Sequence, residues 1–321
     1  MRTATVRRRY ALIGLLGVSL FGLAPGIGLA IAADARIAVI FPDLGEPYRS
    51  VFAKIIEGIE EKTPGKVSSF PLAANASSES LAGELKRRDI KVVIALGRNG
   101  MKAASTLDRG VEVMAGGVIT PPDGETRASS IFSLAPDPAL LFGRLKAVLP
   151  GVRRITVIYD PKHNGWLIKL AQQAARQQGV EIRAQEASDL RSALKLYQDF
   201  YAGADPAADA LWLPQDPTTV DESTVLPLVL KASWNQNIAL FSSSLAHVRR
   251  GALFALYPDH LEMGRQLGVS ASKAVSAAPG ARGLVALREV LAAVNIRTAS
   301  HLGLNLSQKQ QQTFDLVLPE Q

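Results

Sequence analysis

From residue 35 onward the apolar positions of the chain alternate between two periods. "RIAVIF" (36–41) is a short β-branched run, and in 48–62 the apolar residues Val51, Phe52, Ile55, Ile56 and Ile59 recur at helical spacing. The same alternation predicts strands at 66–72, 91–97 and 111–119, a serine-opened helix at 77–89, and a short helix beginning near Asn99. Strands that alternate with helices imply a parallel sheet covered on both faces.

The stretch 128–150 changes direction near Pro136 or Pro138, where a crossing to a second unit is expected. The pattern then repeats: "RITVIYDPKHNGWLIKLAQQAARQQG" (154–179) parallels the opening run, with Trp166, Leu167, Leu170, Ala171 and Ala174 forming the apolar stripe of its helix. Further strands follow at 180–187, 209–216, 238–244 and 251–258, with helices at 189–203 and 223–236. Two similar α/β lobes result, and strand-like crossings between them suit hinge closure around a ligand.

Residues 1–33 follow a different rule. Arg2, Arg7, Arg8 and Arg9 precede an uncharged apolar stretch that ends in small residues around Ala30 and Ala32, the layout of a secretory signal. An uncleaved anchor is the competing reading, and Pro25, Gly26 and Gly28 weaken it; either way the domain is exported. "RRRYAL" is a loose match to a twin-arginine signal, so general and twin-arginine export both stay open. The formal net charge of +7, less the four leader arginines, leaves +3, too mild for a nucleic-acid partner. The absence of cysteine excludes disulfides, thiolate metal sites and lipid attachment through an N-terminal cysteine, so the exported protein is expected free in the periplasm.

In open parallel sheets, ligands bind beyond the carboxyl ends of the strands. Those ends supply Asp43 to Tyr48 (with Glu46), Gly97 to Gly100, Gly116 and Gly117 from the first lobe. The second supplies Asp160 to Asn164, Asp216, Ser242 to Ser244 and Tyr257. Gly97 and Gly100 allow close backbone approach, the following helix start favours an anion, and Arg98 beside Asn99 adds a bidentate grip on carboxylate or phosphate. Arg98 has a second reading as a surface ion pair, and Asp216 is either a turn cap or a cleft acceptor for an ammonium group. Tyr48, Trp166 and Tyr257 are aromatic candidates for stacking, although Trp166 and Trp212 fit core positions.

No G-x-S-x-G elbow, H-E-x-x-H, P-loop or dinucleotide fingerprint occurs in 34–321, and the four histidines lack ligand-like spacing. No catalytic residue, cofactor or metal is expected, with a triad between a central serine and His247 left open. The runs "RRITVIYDPKHN", "DALWLPQDPTTV", "IALFSSS", "RRGALFALYPDHLEMGRQLG" and "AVNIRTASHLGL" stand in an order that resembles one family. It is that of the periplasmic substrate-binding proteins of ABC transporters, type I two-lobe fold, with tryptophan- and tyrosine-binding members.

The resemblance implies an α/β fold of two Rossmann-like lobes with parallel sheets joined by a multi-strand hinge. The N-terminal lobe would be 34–136 plus about 259–280, and the C-terminal lobe 137–258 plus about 281–321. It implies ligand contacts near Asn164, Asp216 and Ser243, and a monomer that delivers a small molecule to a permease with its ATPase; Arg98 and Asp216, binding opposite ends, suit a zwitterionic ligand such as an amino acid. A sensory protein of the same fold, signalling to a membrane kinase or chemoreceptor, is the alternative. At Arg98 and Asn99 the family usually carries a small hydroxyl residue and a proline, so Arg98 either suits a more acidic ligand or blocks the cleft.

Overall fold

Residues 36–73, 78–121, 128–276 and 282–320 are described by the computed structural model; the expected signal segment at 1–33 lies outside them. The first lobe opens with β1 (Ile37–Pro42), α1 (Tyr48–Lys62), β2 (Val67–Leu72), α2 (Ser78–Arg87), β3 (Val92–Leu96), α3 (Gly97–Ala104), β4 (Glu112–Val118) and β5 (Ser130–Pro136). The second contains α4 (Pro138–Val148), β6 (Arg154–Tyr159), α5 (Pro161–Gln178), β7 (Glu181–Glu186), α6 (Leu190–Gly203), β8 (Asp209–Leu213), α7 (Val225–Gln236), β9 (Ala239–Ser242), α8 (Leu245–Arg249) and β10 (Phe254–Pro258). The chain ends with α9 (His260–Val275), β11 (Gly283–Leu287), β12 (Val290–Asn295), α10 (Ile296–His301), α11 (Gln308–Gln311) and β13 (Leu316–Leu318).

Two sheets result, ordered β11-β5-β4-β3-β1-β2 and β13-β12-β10-β9-β8-β6-β7. Every pairing is parallel except β10 with β12. Strand pleating sends alternate side chains of β1 to opposite faces. Ile37 and Val39 pack with Phe52, Ile55 and Ile59 of α1 and with Met263, Leu267 and Ala271 of α9; Ala38 and Ile40 pack with Leu81 and Leu85 of α2 and Met101 of α3. In the second lobe Trp212, Phe142 and Phe241 form an edge-to-face cluster that buries the middle of its sheet.

The chain passes between the lobes at three places, after β5, after β10 and between β11 and β12. These crossings run side by side. Asp137 N–H donates to Leu287 O at 2.7 Å, Asp259 N–H donates to Glu289 O at 3.0 Å, and Arg288 pairs with the Asp137 carboxylate at 2.6 Å. Both aspartates also cap the helix that follows, Asp137 taking Ala139 N–H and Asp259 taking Leu261 and Glu262 N–H. Because β11 pairs with β5 in the first sheet, the last crossing falls after Leu287, some residues past the expected boundary near 280. The sequence pattern of 281–287 is too short and too ordinary to show which sheet it joins.

Helix α9 returns to the first lobe and lies against α1 along a seam of glycines. A β-carbon on Gly58 would overlap Leu261 O, one on Gly264 would overlap Ile55 O, and one on Gly268 would sit 2.9 Å from Ile59 O. Glycine at these positions lets the two backbones touch. Gly264→Val is expected to lower unfolding stability by about 3 kcal/mol or more, measured by urea denaturation. Gly110→Ala, where nothing lies within 4 Å of the added carbon, should stay within about 0.5 kcal/mol of the parent.

Candidate functional site

Both sheets belong to one compact unit, and their strands end at a cavity of about 440 Å³ between the lobes. This volume lies in the range of small-molecule sites. The first lobe supplies Pro42 at the end of β1 and Leu44 just after it, Tyr48 and Phe52 from the start of α1, Gly97 to Asn99 from α3, Gly117 to Thr120 from the end of β4, and Leu134 of β5. The second supplies His163 from α5 and Gln215 with Pro217 after β8. Thr120 Oγ1 donates to His163 O at 2.6 Å, joining the two walls.

The glycines at the β3–α3 junction have specific causes. Gly97 sits at φ +68°, a left-handed conformation that side chains disfavour, and a β-carbon there would press on the Phe52 ring at 3.1 Å. Gly117 sits at φ +70° and would meet the same ring at 3.3 Å. Gly100 is packed against Ile40 O, where an added carbon would stand 3.0 Å away. The glycines therefore let the chain turn from strand to helix directly beneath Phe52.

Arg98, the second residue of α3, is exposed on the cavity and makes no hydrogen bond or ion pair with any described residue. Its reading as half of a surface ion pair thus finds no partner there. The first-turn N–H groups of a helix have no intrahelical acceptor, and no side chain caps α3 or α1. Aligned peptide dipoles add partial positive charge at the same spot.

The second lobe is arranged oppositely, with its acids turned inward on the protein. Asp216 Oδ1 accepts from the N–H groups of Thr218 and Thr219, both at 3.0 Å. Its Oδ2 accepts from Asp160 N–H at 2.8 Å and from Asn164 Nδ2 at 2.9 Å. Asp160 in turn caps α5 through Lys162 N–H and accepts the Thr218 hydroxyl at 2.9 Å. Asp216 is 4% exposed and Asn164 is fully buried, so neither lines the cavity. The cap reading describes Asp216, and the free ammonium-binding arm is not what its four donors leave.

Of the residues the sequence singles out by name, Tyr48, Gly97, Arg98, Asn99 and Gly117 meet in the cavity. Asp43 faces a neighbouring cavity of about 340 Å³, and Glu46 accepts from Ser50 Oγ at 2.6 Å. Ser243 is buried, accepting from Trp212 Nε1 at 3.2 Å. Tyr257 lies on β10 opposite Leu291 of β12, away from this lining. Trp166 packs against the second-lobe core. Leu44 and His163 fall within the candidate stretches 43–48 and 160–164; Phe52, Thr120, Gln215 and Pro217 were not singled out, Gln215 and Pro217 flanking Asp216, whereas Phe52 reads only as part of an apolar stripe.

Ser242 Oγ does lie 2.7 Å from His247 Nδ1, with Glu222 3.9 Å beyond Nε2. Ser242 is completely buried, so its oxygen has no path to a substrate. Burial first, and Arg250 second, push the His247 pKa down to about 4. Among the described residues no cluster of metal-ligating side chains occurs, and no helix is long and apolar enough to cross a membrane.

Residues 143–310 match the family model described as ABC transporter substrate binding protein. Among solved structures, the chain is similar to the ligand-free, open form of a substrate-binding protein with adhesive properties from Clostridium difficile, at 15% identity, 88% of this chain, 99% of that chain and TM-score 0.61. It is also similar to an ABC domain in complex with L-Trp from Streptococcus pneumonia, at 16% identity, 88% and 99% coverage and TM-score 0.54. A periplasmic ribose ABC transporter from Conexibacter woesei follows at 14% identity, the same coverage and TM-score 0.50. Among curated proteins there is no match. At these identities the likeness establishes the shared fold, that of type I periplasmic binding proteins.

Two outcomes follow from this geometry. Asp216→Ala should cost about 2–4 kcal/mol of stability by orphaning four donors, and Arg98→Ala less than about 0.5 kcal/mol, both read by chemical denaturation. For His247, the folded pKa lies below the ordinary unfolded value near 6.5, so the unfolded chain binds the proton more readily. Its contribution is present above pH 6.5 and lost as pH falls toward about 4; His247→Gln should flatten the stability profile across that window.

Proposed function

The chain belongs to the ABC transporter substrate-binding protein family, and from that premise we propose that it is the solute-receiving component of an ABC importer. In this reading the protein works in the periplasm, captures a small solute with an anionic head and an apolar body between its lobes, and hands it to a permease with its ATPase. Solute binding itself, without catalysis, is the property of the family. One neighbour in fold holds L-Trp and another is a ribose transporter, so the ligand class is read from this chain's own cavity.

The observation that carries the reading is the Arg98 guanidinium on the cavity, unpaired with any described residue, at the start of a helix that no side chain caps. A planar cation with several donors fits a carboxylate in a two-point grip, and the helix start favours the same charge. Leu44, Tyr48, Phe52, Ile119, Leu134 and Pro217 supply an apolar surround for the rest of the molecule. Amino acids remain inside this class, with the anionic arm on Arg98 and without the second arm expected at Asp216.

Closure of the lobes on a ligand would bury the Arg98 contact and strengthen it, since a charge pair gains as water is excluded. A calorimetric screen of small carboxylates, amino acids and sugars tests the assignment. The bound solute should carry a carboxylate, and Arg98→Ala should weaken it by about 2–5 kcal/mol. Binding of sugars alone, unaffected by Arg98→Ala, would show that the recognition lies elsewhere.

A further inference from the structure

We infer that the solute is a carboxylate with an apolar body and no ammonium group, so that the protein discriminates against amino acids of the same skeleton. The inference rests on the preceding reading of the cavity and goes further by asking what a second charge would meet. Among the described residues, the carboxylates to consider at these strand ends are Asp43, Glu46, Asp160 and Asp216. Asp216 is filled by four donors, and Asp160 by Lys162 N–H and the Thr218 hydroxyl, with His163 Nε2 3.9 Å away. Glu46 is held by Ser50, and Asp43 faces the neighbouring cavity. None of the four lines the cavity that holds Arg98.

An α-amino acid whose carboxylate sits on Arg98 carries its ammonium only two bonds from the carboxylate carbon. That ammonium would find no acid among the described lining residues, and the charge nearest it among them would be the Arg98 guanidinium, of the same sign. Burying a charge without a counter-charge is costly, and like charges at close range raise the cost. Opening Asp216 to receive it would strip donors such as Thr218 and Thr219 N–H of their acceptor. The remaining polar side chains of the lining, Tyr48, Asn99, Thr120, His163 and Gln215, include no carboxylate. Gln215 Oε1 is buried and accepts no hydrogen bond from any described residue, so that side chain offers the solute no acceptor in this conformation.

Calorimetry at pH 7 on the purified protein, with matched sets on aromatic, branched and linear skeletons, decides it. The sets are 3-phenylpropanoate, phenylalanine and phenethylamine; 4-methylpentanoate, leucine and isopentylamine; hexanoate, norleucine and pentylamine. In at least one set the acid should bind about tenfold or more tightly than its amino acid, the amine should not bind, and Arg98→Ala should remove the acid's advantage. An amino acid that binds as tightly as its acid, and still depends on Arg98, overturns this inference while leaving the anionic site standing. Binding that ignores Arg98→Ala overturns both, and so does the failure of every acid to bind.

Discussion

The contact on which the site depends is the backbone-to-backbone seam between α1 and α9. Helix α9 begins at a hinge crossing that leaves the second sheet, yet its Gly264 and Gly268 lie directly on Ile55 and Ile59 of α1. With side chains on those glycines the helices would stand farther apart, and α1 would ride outward from the sheet. Phe52 is on α1, one turn before Ile55, and presses on Gly97 and Gly117 beneath it. The position of the cavity's aromatic wall thus depends on a contact farther along the same helix. The returning segment of the chain thereby fixes the geometry at the first lobe's strand ends.

A second consequence concerns where charge can be recognised. The lobes repeat one pattern of strand, proline-bearing loop and helix, yet treat their helix starts differently. In the second lobe Asp160 and Asp216 fill the turn N–H groups and one another's surroundings, so that wall presents Gln215, Pro217 and His163 instead of carboxylates. In the first lobe the residue before α1 is Pro47 and the residue before α3 is Leu96, neither of which caps with a side chain. Positive potential therefore gathers on one wall, where Arg98 reinforces it. Two halves of one architecture thus present different walls, one with an exposed cation and uncapped helix starts, the other with its carboxylates turned into the protein.

Much of the fold was legible because each lobe is built from strongly periodic elements. The runs 48–62 and 154–179 carry apolar stripes that only a helix packed on a sheet uses, and β3 and β8 are continuous apolar strands, as buried parallel strands must be. The repeat between the two opening units exposed the two-lobe plan. What escaped were pieces whose partners are distant in sequence. β11 joins β5 across the hinge, and its five residues carry no sign of that choice. At the site, glycine spacing pointed to α3, but direction did not follow from position. Asp216 and Asn164 occupy strand-end loops where ligands bind, and hydrogen bonds to Asp160, Thr218 and Thr219 turn them inward. A sequence gives the residue at the mouth of a strand; the donors around it decide which way it faces.

The Ser242–His247 pair makes the same point with chemistry that looks catalytic. A hydroxyl 2.7 Å from an imidazole, with a glutamate beyond, has the connectivity of an acyl-transfer triad. Reactivity requires that the oxygen meet a substrate, and here it also bonds Leu213 O and the N–H of Ser244 within the core. The imidazole is kept neutral by burial, so the pair ties β9 to α8 as an uncharged link. That tie sits immediately behind the strand ends of the second wall, beside Ser243 and its bond from Trp212. Ser242, Ser243 and His247, behind the lining residues His163 and Gln215, are thus spent on holding the wall together.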